Sequence, residues 1–226
     1  MAIISTVGGE NRLILGADRV ARQPSFMLGT TWQKLRIGLR LCMSDSGASV
    51  SPADFIVGVC SGNSSIYGDS GSAPKHFYGI SLVGGFATFN RATSPTRYGV
   101  TFSSGICFVN GVLSTSSPTN MEPSTWNIGA GDSNRTLFFV DITKGNPAWS
   151  LTYFRNTATA CTDIDKATFD AQVILPSPSL TDHSFQSPQS WNVNEAANGY
   201  MDHINLNWNF AIPVFKISDI TVVKLA

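Results

Sequence analysis

Hydrophobic and polar residues alternate along much of this chain, which is the pattern of β-strands that bury one face. In 204–210 the apolar residues occupy every even position and three asparagines occupy the odd ones. In 36–43 apolar residues alternate with Arg36 and Arg40. Apolar residues fill both faces of 136–142, so we expect this strand to be covered on both sides. Further runs of this kind are 55–60, 77–84, 98–102, 106–113, 149–154, 169–175 and 220–225.

Short stretches rich in Gly, Pro, Ser, Asn and Asp separate these runs, and such residues favour turns. Many short strands without a long helical period predict an all-β fold: an antiparallel β-sandwich, jelly-roll-like, with long loops and at most one short helix. The segment 163–172 is the one compatible with that helix, and Asp163 is its candidate N-cap.

One composition regime without a clear internal repeat predicts a single β-sandwich domain over 1–226. Two parts of the chain differ from the rest. Residues 1–30 are expected to form an N-terminal arm or a first pair of strands. Residues 176–200 contain three prolines and little periodicity, so they are predicted to form a long loop, and such loops are often functional.

Charged residues make up 13% of the chain, with 15 basic and 15 acidic side chains, whereas an average soluble domain is about 25% charged. The absence of a basic excess argues against nucleic acid as the main partner. A charge-poor surface suits either a monomer solvated by Ser, Thr, Asn and Gly or a subunit covered by other protein. We favour the second interpretation.

The N-terminus lacks a basic segment leading into an apolar one, so no signal peptide is expected. No apolar stretch reaches the length of a membrane span. The four cysteines have no C-x-x-C spacing, which argues against a zinc or redox motif. We expect reduced, buried thiols, with a Cys42–Cys60 bridge as the alternative. The cysteines are Cys42, Cys60, Cys107 and Cys161.

In these general features the chain resembles virion and phage-tail structural proteins. The resemblance implies a non-enzymatic subunit of a homo-oligomer, whose partners are copies of itself and other structural proteins. It also implies a location in a virion or a cytoplasmically assembled particle. The alternative is a carbohydrate-binding, lectin-like β-sandwich or a receptor-binding protein, with a glycan as partner.

Six residues are the candidate ligand or interface contacts. Trp191 lies in the proline-containing segment beside two asparagines, where an exposed indole could stack on a sugar ring. Together with 61–74, this segment is the expected sugar contact under the alternative. The asparagines of the alternating strand offer amides to a neighbouring strand, a sugar or a partner subunit, or form a solvated face. Trp149 and Trp208 are expected in the core. The six are Trp191, Asn192, Asn194, Asn205, Asn207 and Asn209.

The segment 68–74, GDSGSAP, resembles the GDSGGP nucleophile segment of trypsin-like serine proteases and places Ser70 at the nucleophile position. Ser72 replaces the second glycine of that pattern. The family's histidine precedes its serine, whereas the histidines here all follow it, so the mechanism is not carried over and Ser70 is expected in a turn. A hydrolase built around Ser70 in another chain order is the remaining enzymatic alternative. The histidines are His76, His183 and His203.

Acidic residues offer little support for catalysis or metal binding. The three glutamates are far apart, so the paired carboxylates of a glycosidase are not evident. Asp163, Asp165 and Asp170 could provide oxygen ligands for calcium, but we favour a turn or helix start. His183 and His203 lack a second ligand at helical spacing. We therefore expect no catalytic residue, no cofactor and no metal.

Overall fold

The computed structural model describes segments of the chain that contain fourteen strands and one helix. These segments are 2–7, 13–14, 20–21, 31–43, 53–61, 76–84, 97–109, 112–116, 126–129, 133–145, 149–156, 163–186, 201–208 and 215–226. The strands are β1 (Ala2–Val7), β2 (Leu13–Ile14), β3 (Val20–Ala21), β4 (Lys34–Met43), β5 (Ala53–Ser61), β6 (His76–Gly84), β7 (Arg97–Val109), β8 (Val112–Ser116), β9 (Trp126–Gly129), β10 (Thr136–Thr143), β11 (Ser150–Arg155), β12 (Thr181–Gln186), β13 (Met201–Trp208) and β14 (Phe215–Lys224). The helix α1 is Lys166–Val173.

The strands form two seven-stranded antiparallel sheets. Sheet A has the order β1-β14-β4-β10-β11-β12, with β2 also paired to β14. Sheet B has the order β3-β13-β5-β6-β7-β8, with β9 also paired to β7. This architecture confirms the predicted all-β antiparallel fold with one short helix.

Two boundary predictions need correction. Within 1–30, β1 and β2 pair with β14 in sheet A, and β3 pairs with β13 in sheet B. These parts of the predicted arm are therefore strands built into both sheets, and they do not pair with one another. Within 176–200, Thr181–Gln186 forms β12, which pairs with β11. Strand β12 is not recognisable from 176–200 alone, because it is stabilised by pairing with β11, which lies outside that segment.

The inner faces of the two sheets share an apolar core. On β4 this face carries Leu35, Ile37, Leu39 and Leu41, all fully buried. Alternate residues of neighbouring strands meet them, as period-two geometry requires. Trp149 is buried, as predicted. Other buried members are Val57, Val59, Tyr78, Ile80, Phe138, Val140, Ile142, Leu151, Ile204, Ile220 and Val222.

The outer face of sheet A carries a second core beneath α1. Phe169 and Val173 of the helix pack with Leu137 and Phe139 of β10 and with Val223 of β14. Strand β10 is therefore buried on both faces, as its sequence predicts. Phe139 and Phe169 meet edge to face, with ring centroids 6.0 Å apart.

Arg36 ties α1 to this outer face. It lies opposite Asp141 in the β4–β10 register, and its Nε and Nη2 donate to the two carboxylate oxygens at 2.6 and 2.9 Å. Its Nη1 donates to the main-chain oxygens of Val173 and Leu175 at the C-terminal end of the helix. A cation at the C-terminal end of a helix also interacts favourably with the helix dipole. The alternating pattern predicts that Arg36 lies on the polar face of β4. In the structure this face is covered by α1, and Arg36 is buried.

Arg40 repeats this arrangement four residues further along β4. A register shift in β14 between Ile217 and Asp219 places Asp219 opposite Arg40, and the Arg40 Nε donates to that carboxylate. The Arg40 Nη1 donates to the Ile164 main-chain oxygen at 3.1 Å. Such shifts re-aim side chains, and here the shift provides the buried cation with its counter-ion.

The three aspartates considered as calcium ligands each have a separate partner. Asp163 accepts hydrogen bonds from Arg135. Asp165, and not Asp163, is the N-cap of α1, and it accepts from the Thr168 N–H at 2.7 Å. That backbone hydrogen bond lowers the pKa of the Asp165 carboxyl. Asp170 pairs with Lys166 one turn earlier on the helix. This segment therefore uses its carboxylates to cap and fasten the helix.

Cys42 and Cys60 are buried thiols on different sheets, so the alternative of a bridge between them is wrong. The Cys107 side chain and Cys161 lie outside the described residues.

Gly38 allows α1 to approach sheet A closely, and this contact gives a prediction. A Cβ at Gly38 would stand 2.3 Å from the Val173 Cγ2. We expect Gly38→Ala to destabilise the fold by about 1–3 kcal/mol, the usual cost of overpacking, despite the better intrinsic strand preference of alanine. Urea unfolding measures this loss. Val173→Ala removes the clashing methyl, so the double variant should lose less than the sum of the two single losses. Strict additivity would contradict the contact.

Candidate ligand-binding end of the sandwich

One end of the sandwich brings together strand ends from both sheets. In sheet A, β4 begins there and β10 ends there, since Lys34 pairs with Thr143. In sheet B, β5 ends there and β13 begins there, since Ser61 pairs with Met201. The indole Nε1 of Trp32 donates to the Met201 main-chain oxygen at 3.0 Å and joins the two sheets. We call this region the Trp32 end.

Three aromatic side chains close the interior at the Trp32 end. The rings of Trp32 and Trp149 meet at 87° with centroids 5.6 Å apart. Tyr78 meets Trp149 at 88° and 5.9 Å, and its hydroxyl donates to the Trp149 main-chain oxygen at 3.3 Å. The residues are 2%, 4% and 0% exposed for Trp32, Trp149 and Tyr78, respectively. These edge-to-face contacts are favourable arrangements and make the end a fixed support.

Lys144 covers this aromatic cluster from the solvent side. Its Nζ lies 4.1 Å from the Trp32 ring centroid and 5.7 Å from that of Trp149. Its main-chain N–H donates to the Gln33 oxygen at 2.9 Å. A cation over an indole face is attracted by the ring quadrupole. The ammonium group is thereby held in place although the side chain is half-exposed.

The sequence nominates 61–74 and the Trp191-containing part of 176–200 as sugar contacts, and the connections that include them are both attached here. Segment 62–75 joins β5 to β6, and segment 187–200 joins β12 to β13. Their attachment points Ser61 and Met201 are partners across the β5–β13 ladder. Segments anchored at neighbouring positions on a rigid scaffold are well placed to form one binding surface.

Asp202 and His203 are the second and third residues of β13. The β5–β13 register shifts between Met201 and His203, and the Asp202 Oδ1 lies 2.6 Å from the His203 Nδ1. Adjacent side chains on a regular strand point to opposite faces, so the irregularity accounts for their contact. Both are about a quarter exposed.

The six nominated contact residues divide into two groups. Asn205 and Asn207 lie in β13, where they pair with Gly58 and Ile56 of β5; their side chains are outside the description. The other four lie outside the described residues, so the structure leaves them as predictions: Trp191, Asn192, Asn194 and Asn209.

The residues tested for other chemistry are dispersed. Ser70 lies outside the described residues. His76 begins β6, and His183 lies in β12 opposite Tyr153, a strand position in place of the predicted loop. Within the described segments, no group of three His, Cys, Asp or Glu side chains is arranged to hold a metal ion. No helix in the described part of the chain is long and apolar enough to cross a membrane.

Sequence reasoning missed Trp32, Tyr78 and Lys144 as parts of this end. Trp32 stands just before the alternating strand at 36–43, and Lys144 just after the strand covered on both faces. A tryptophan and a lysine at strand ends are common, and only the tertiary fold shows that these meet.

Comparisons with known proteins give a resemblance at the level of solved structures. No family model matches the chain, and no curated protein matches it in sequence. The VIP36 exoplasmic/lumenal domain in its metal-free form is 10% identical, with 98% of this chain and 84% of that chain covered and a TM-score of 0.42. The Emp47p carbohydrate recognition domain is 10% identical, with 97% and 87% covered and a TM-score of 0.41. Peanut lectin with a 9mer peptide is 10% identical, with 96% and 89% covered and a TM-score of 0.39. At these TM-scores the resemblance does not support a function for this chain.

The Trp32–Met201 contact gives a prediction about this end. Trp32→Phe keeps an aromatic ring but removes the donor to the Met201 oxygen, so we expect a loss of about 1–3 kcal/mol in unfolding free energy. Trp32→Ala should cost about 3–5 kcal/mol because it also leaves a cavity. Hydrogen exchange should accelerate at the start of β13 in both variants. Lys166→Ala, on the exposed side of α1, is the control and should stay within about 0.5 kcal/mol. Equal losses in all three variants would contradict the inter-sheet role.

Proposed function

We propose that this protein is a non-enzymatic carbohydrate-binding β-sandwich whose ligand site lies at the Trp32 end. The observation that carries the proposal is the pairing of Ser61 with Met201. It anchors 62–75 and 187–200, the two segments with the most suitable sugar-binding residues, at neighbouring positions.

The residue types in these segments suit a saccharide. Asparagine amides both donate and accept, and serine hydroxyls do the same, which matches the hydroxyl groups of a sugar ring. Segment 187–200 supplies Trp191 beside Asn192 and Asn194, and segment 62–75 supplies Asn63 with several serines. Because Trp32 and Trp149 are buried, the aromatic stacking contact falls to Trp191.

The scaffold below these segments also supports binding. Sites positioned by rigid elements lose less conformational freedom on binding. Both sheets are fastened to each other at this end by the Trp32 indole and the Tyr78 hydroxyl.

Substitutions in segment 187–200 test the proposal. On a glycan array, the protein should bind a defined set of saccharides. Trp191→Ala should weaken that binding roughly twofold to tenfold, because an aromatic ring contact contributes on the order of 0.5–1.5 kcal/mol. Asn192→Ala and Asn194→Ala should each weaken it about fivefold, the value of one hydrogen bond.

The matched control is Asn120→Ala. Segment 117–125 joins β8 to β9 and attaches away from the Trp32 end, since Ser116 pairs with Gly105 in the interior of β7 and Trp126 pairs with Val100 near the start of β7. This control should bind like the parent protein. Absence of any saccharide binding by the folded parent would overturn the proposal, as would an equal loss in the control.

A structural subunit assembled from copies of this chain is a second candidate function, and one observation favours it. Arg36, Arg40, Asp141 and Asp219 are buried, so the ion pairs remove charge from a surface that is already charge-poor. Neutral surfaces promote association. The assignment to a phage or phage-like particle remains a prediction from sequence character.

Solution mass tests the second candidate. We expect a defined homo-oligomer by light scattering at micromolar concentration, unchanged in moderate salt because apolar and amide contacts are not screened. A stable monomer over the whole concentration range would contradict assembly, and it would leave the carbohydrate proposal untouched.

A further inference from the structure

Two side chains of β14 bury polar oxygens on the outer face of sheet A. Asp219 and Thr221 are 1% and 2% exposed, respectively. Within the described part of the chain, the Asp219 Oδ1 and the Thr221 Oγ1 have no hydrogen-bond partner. A buried polar atom without a partner costs free energy, and the cost is larger for a charged group. These two oxygens therefore need a partner that the described side chains around them do not provide.

The strand register places the two side chains next to each other. From Asp219 onward the β14–β4 ladder is regular, with Asp219 opposite Arg40 and Thr221 opposite Gly38. Residues two apart on a strand project from the same face and lie about 6.6 Å apart along it. A water molecule that makes a hydrogen bond on each side joins polar atoms about 5–6 Å apart. One small molecule between these side chains can therefore contact both.

The other buried ion pair on this face shows what Asp219 lacks. Arg36 donates to both oxygens of Asp141, from its Nε and its Nη2. Arg40 donates from its Nε to the Asp219 Oδ2, whereas its Nη1 donates to the Ile164 main-chain oxygen. Asp219 comes directly after the register shift in β14, and such shifts re-aim side chains. The shift thus accounts for a pair that uses one carboxylate oxygen where the other pair uses two.

Arg40 offers the donor that completes a small polar site. It is 8% exposed, and its guanidinium carries more N–H groups than the two described contacts use. Buried water molecules typically make about three hydrogen bonds to polar groups that would otherwise lack a partner. A donor on Arg40, a charged acceptor on Asp219 and a hydroxyl on Thr221 form such a set.

The charges at this place favour a neutral ligand. Arg40 and Asp219 form an ion pair, so a bound cation would meet the guanidinium and a bound anion would meet the carboxylate. A water molecule donates to a carboxylate oxygen and accepts from a guanidinium N–H at the same time. The threonine hydroxyl both donates and accepts, so it suits either orientation of the water.

We propose that an ordered internal water molecule is bound between β4, β14 and the segment that leads into α1. It donates to the Asp219 Oδ1, accepts from an Arg40 N–H group and shares a hydrogen bond with the Thr221 hydroxyl. The water thereby completes the second buried ion pair, whose arginine also holds the Ile164 main-chain oxygen. This site is separate from the carbohydrate site proposed at the Trp32 end and does not depend on it.

Thr221→Val tests the inference through the sign of its effect on stability. Valine has nearly the shape of threonine but lacks the hydroxyl. Loss of a hydroxyl that binds water should raise the equilibrium constant for unfolding about fivefold, the value of one hydrogen bond. Loss of a buried hydroxyl that has no partner would instead remove a cost and lower that constant. Urea unfolding measures the constant.

The matched control is Thr152→Val. Thr152 lies on the outer face of the same sheet, opposite Asp141, and is half-exposed. Both substitutions make the same change in intrinsic strand preference. Because the Thr152 hydroxyl is accessible to solvent, the control should change the unfolding constant by no more than about twofold.

A crystal structure of the parent protein, at a resolution that shows ordered water, tests the site without any variant. We expect a water molecule within about 2.5–3.2 Å of the Asp219 Oδ1 and the Thr221 Oγ1. A direct hydrogen bond from another side chain to either oxygen, or a metal ion in the place of the water, would overturn the inference. An unfolding constant that stays unchanged or falls in Thr221→Val would overturn it as well.

Discussion

The contact between the Trp32 indole and the Met201 main-chain oxygen is the link on which the proposed site depends. The contact joins Trp32, which lies two residues before β4 of sheet A, to Met201, the first residue of β13 in sheet B. Tyr78 and Trp149 reinforce it from within the core. Without this link the two sheets would still have apolar faces to bury, but the segments attached to each would have no fixed relative position. The end of the sandwich can therefore act as a support because a hydrogen bond and edge-to-face aromatic contacts define it.

The opposite side of sheet A shows how a charge-poor protein uses the charges that it has. Arg36 and Arg40 each pair with an aspartate directly across the ladder and also donate to main-chain oxygens of the segment that contains α1. Burying such pairs is costly unless the remaining donors are satisfied. Here main-chain carbonyl groups at both ends of the helix accept from Arg36 and Arg40, whereas the Asp219 Oδ1 is buried without a hydrogen-bond partner among the described residues. The ionic groups thus position one segment on a sheet, while amides and hydroxyl groups remain for the surface.

Much of the fold follows from the sequence because burial has a period that the chain displays. The alternation in 36–43 and the double-sided run at 136–142 correspond to β4 and β10. The helix α1 falls largely within 163–172, as predicted, but it also covers most of the run 169–175, so the prediction of a strand there is wrong. The polar face of β4 was not recognisable as buried, since it is covered by α1 from more than a hundred residues away. Strands β9 and β12 lie outside the predicted runs, and β1, β2 and β3 were expected only as an arm or a first pair of strands. These short strands are stabilised by pairing with other parts of the chain, which the local pattern does not show.

The candidate site shows the same division between local and long-range information. Residue types in 62–75 and 187–200 indicate sugar contacts from the sequence alone. Their common attachment depends on the β5–β13 register. Such registers arise from the whole set of cross-strand contacts and are not encoded in any one segment. Chemistry could therefore be inferred locally, whereas convergence required the tertiary structure.

The place of β14 has a consequence for biosynthesis. This late strand lies inside sheet A between β1 and β4, with Leu35 opposite Lys224. During translation, β4 has an unpaired edge until residues 215–224 have emerged from the ribosome. Exposed strand edges can pair with other chains. The nascent protein is thus at risk of mispairing until β14 has been made, and a chaperone that shields β4 over this interval would improve its yield.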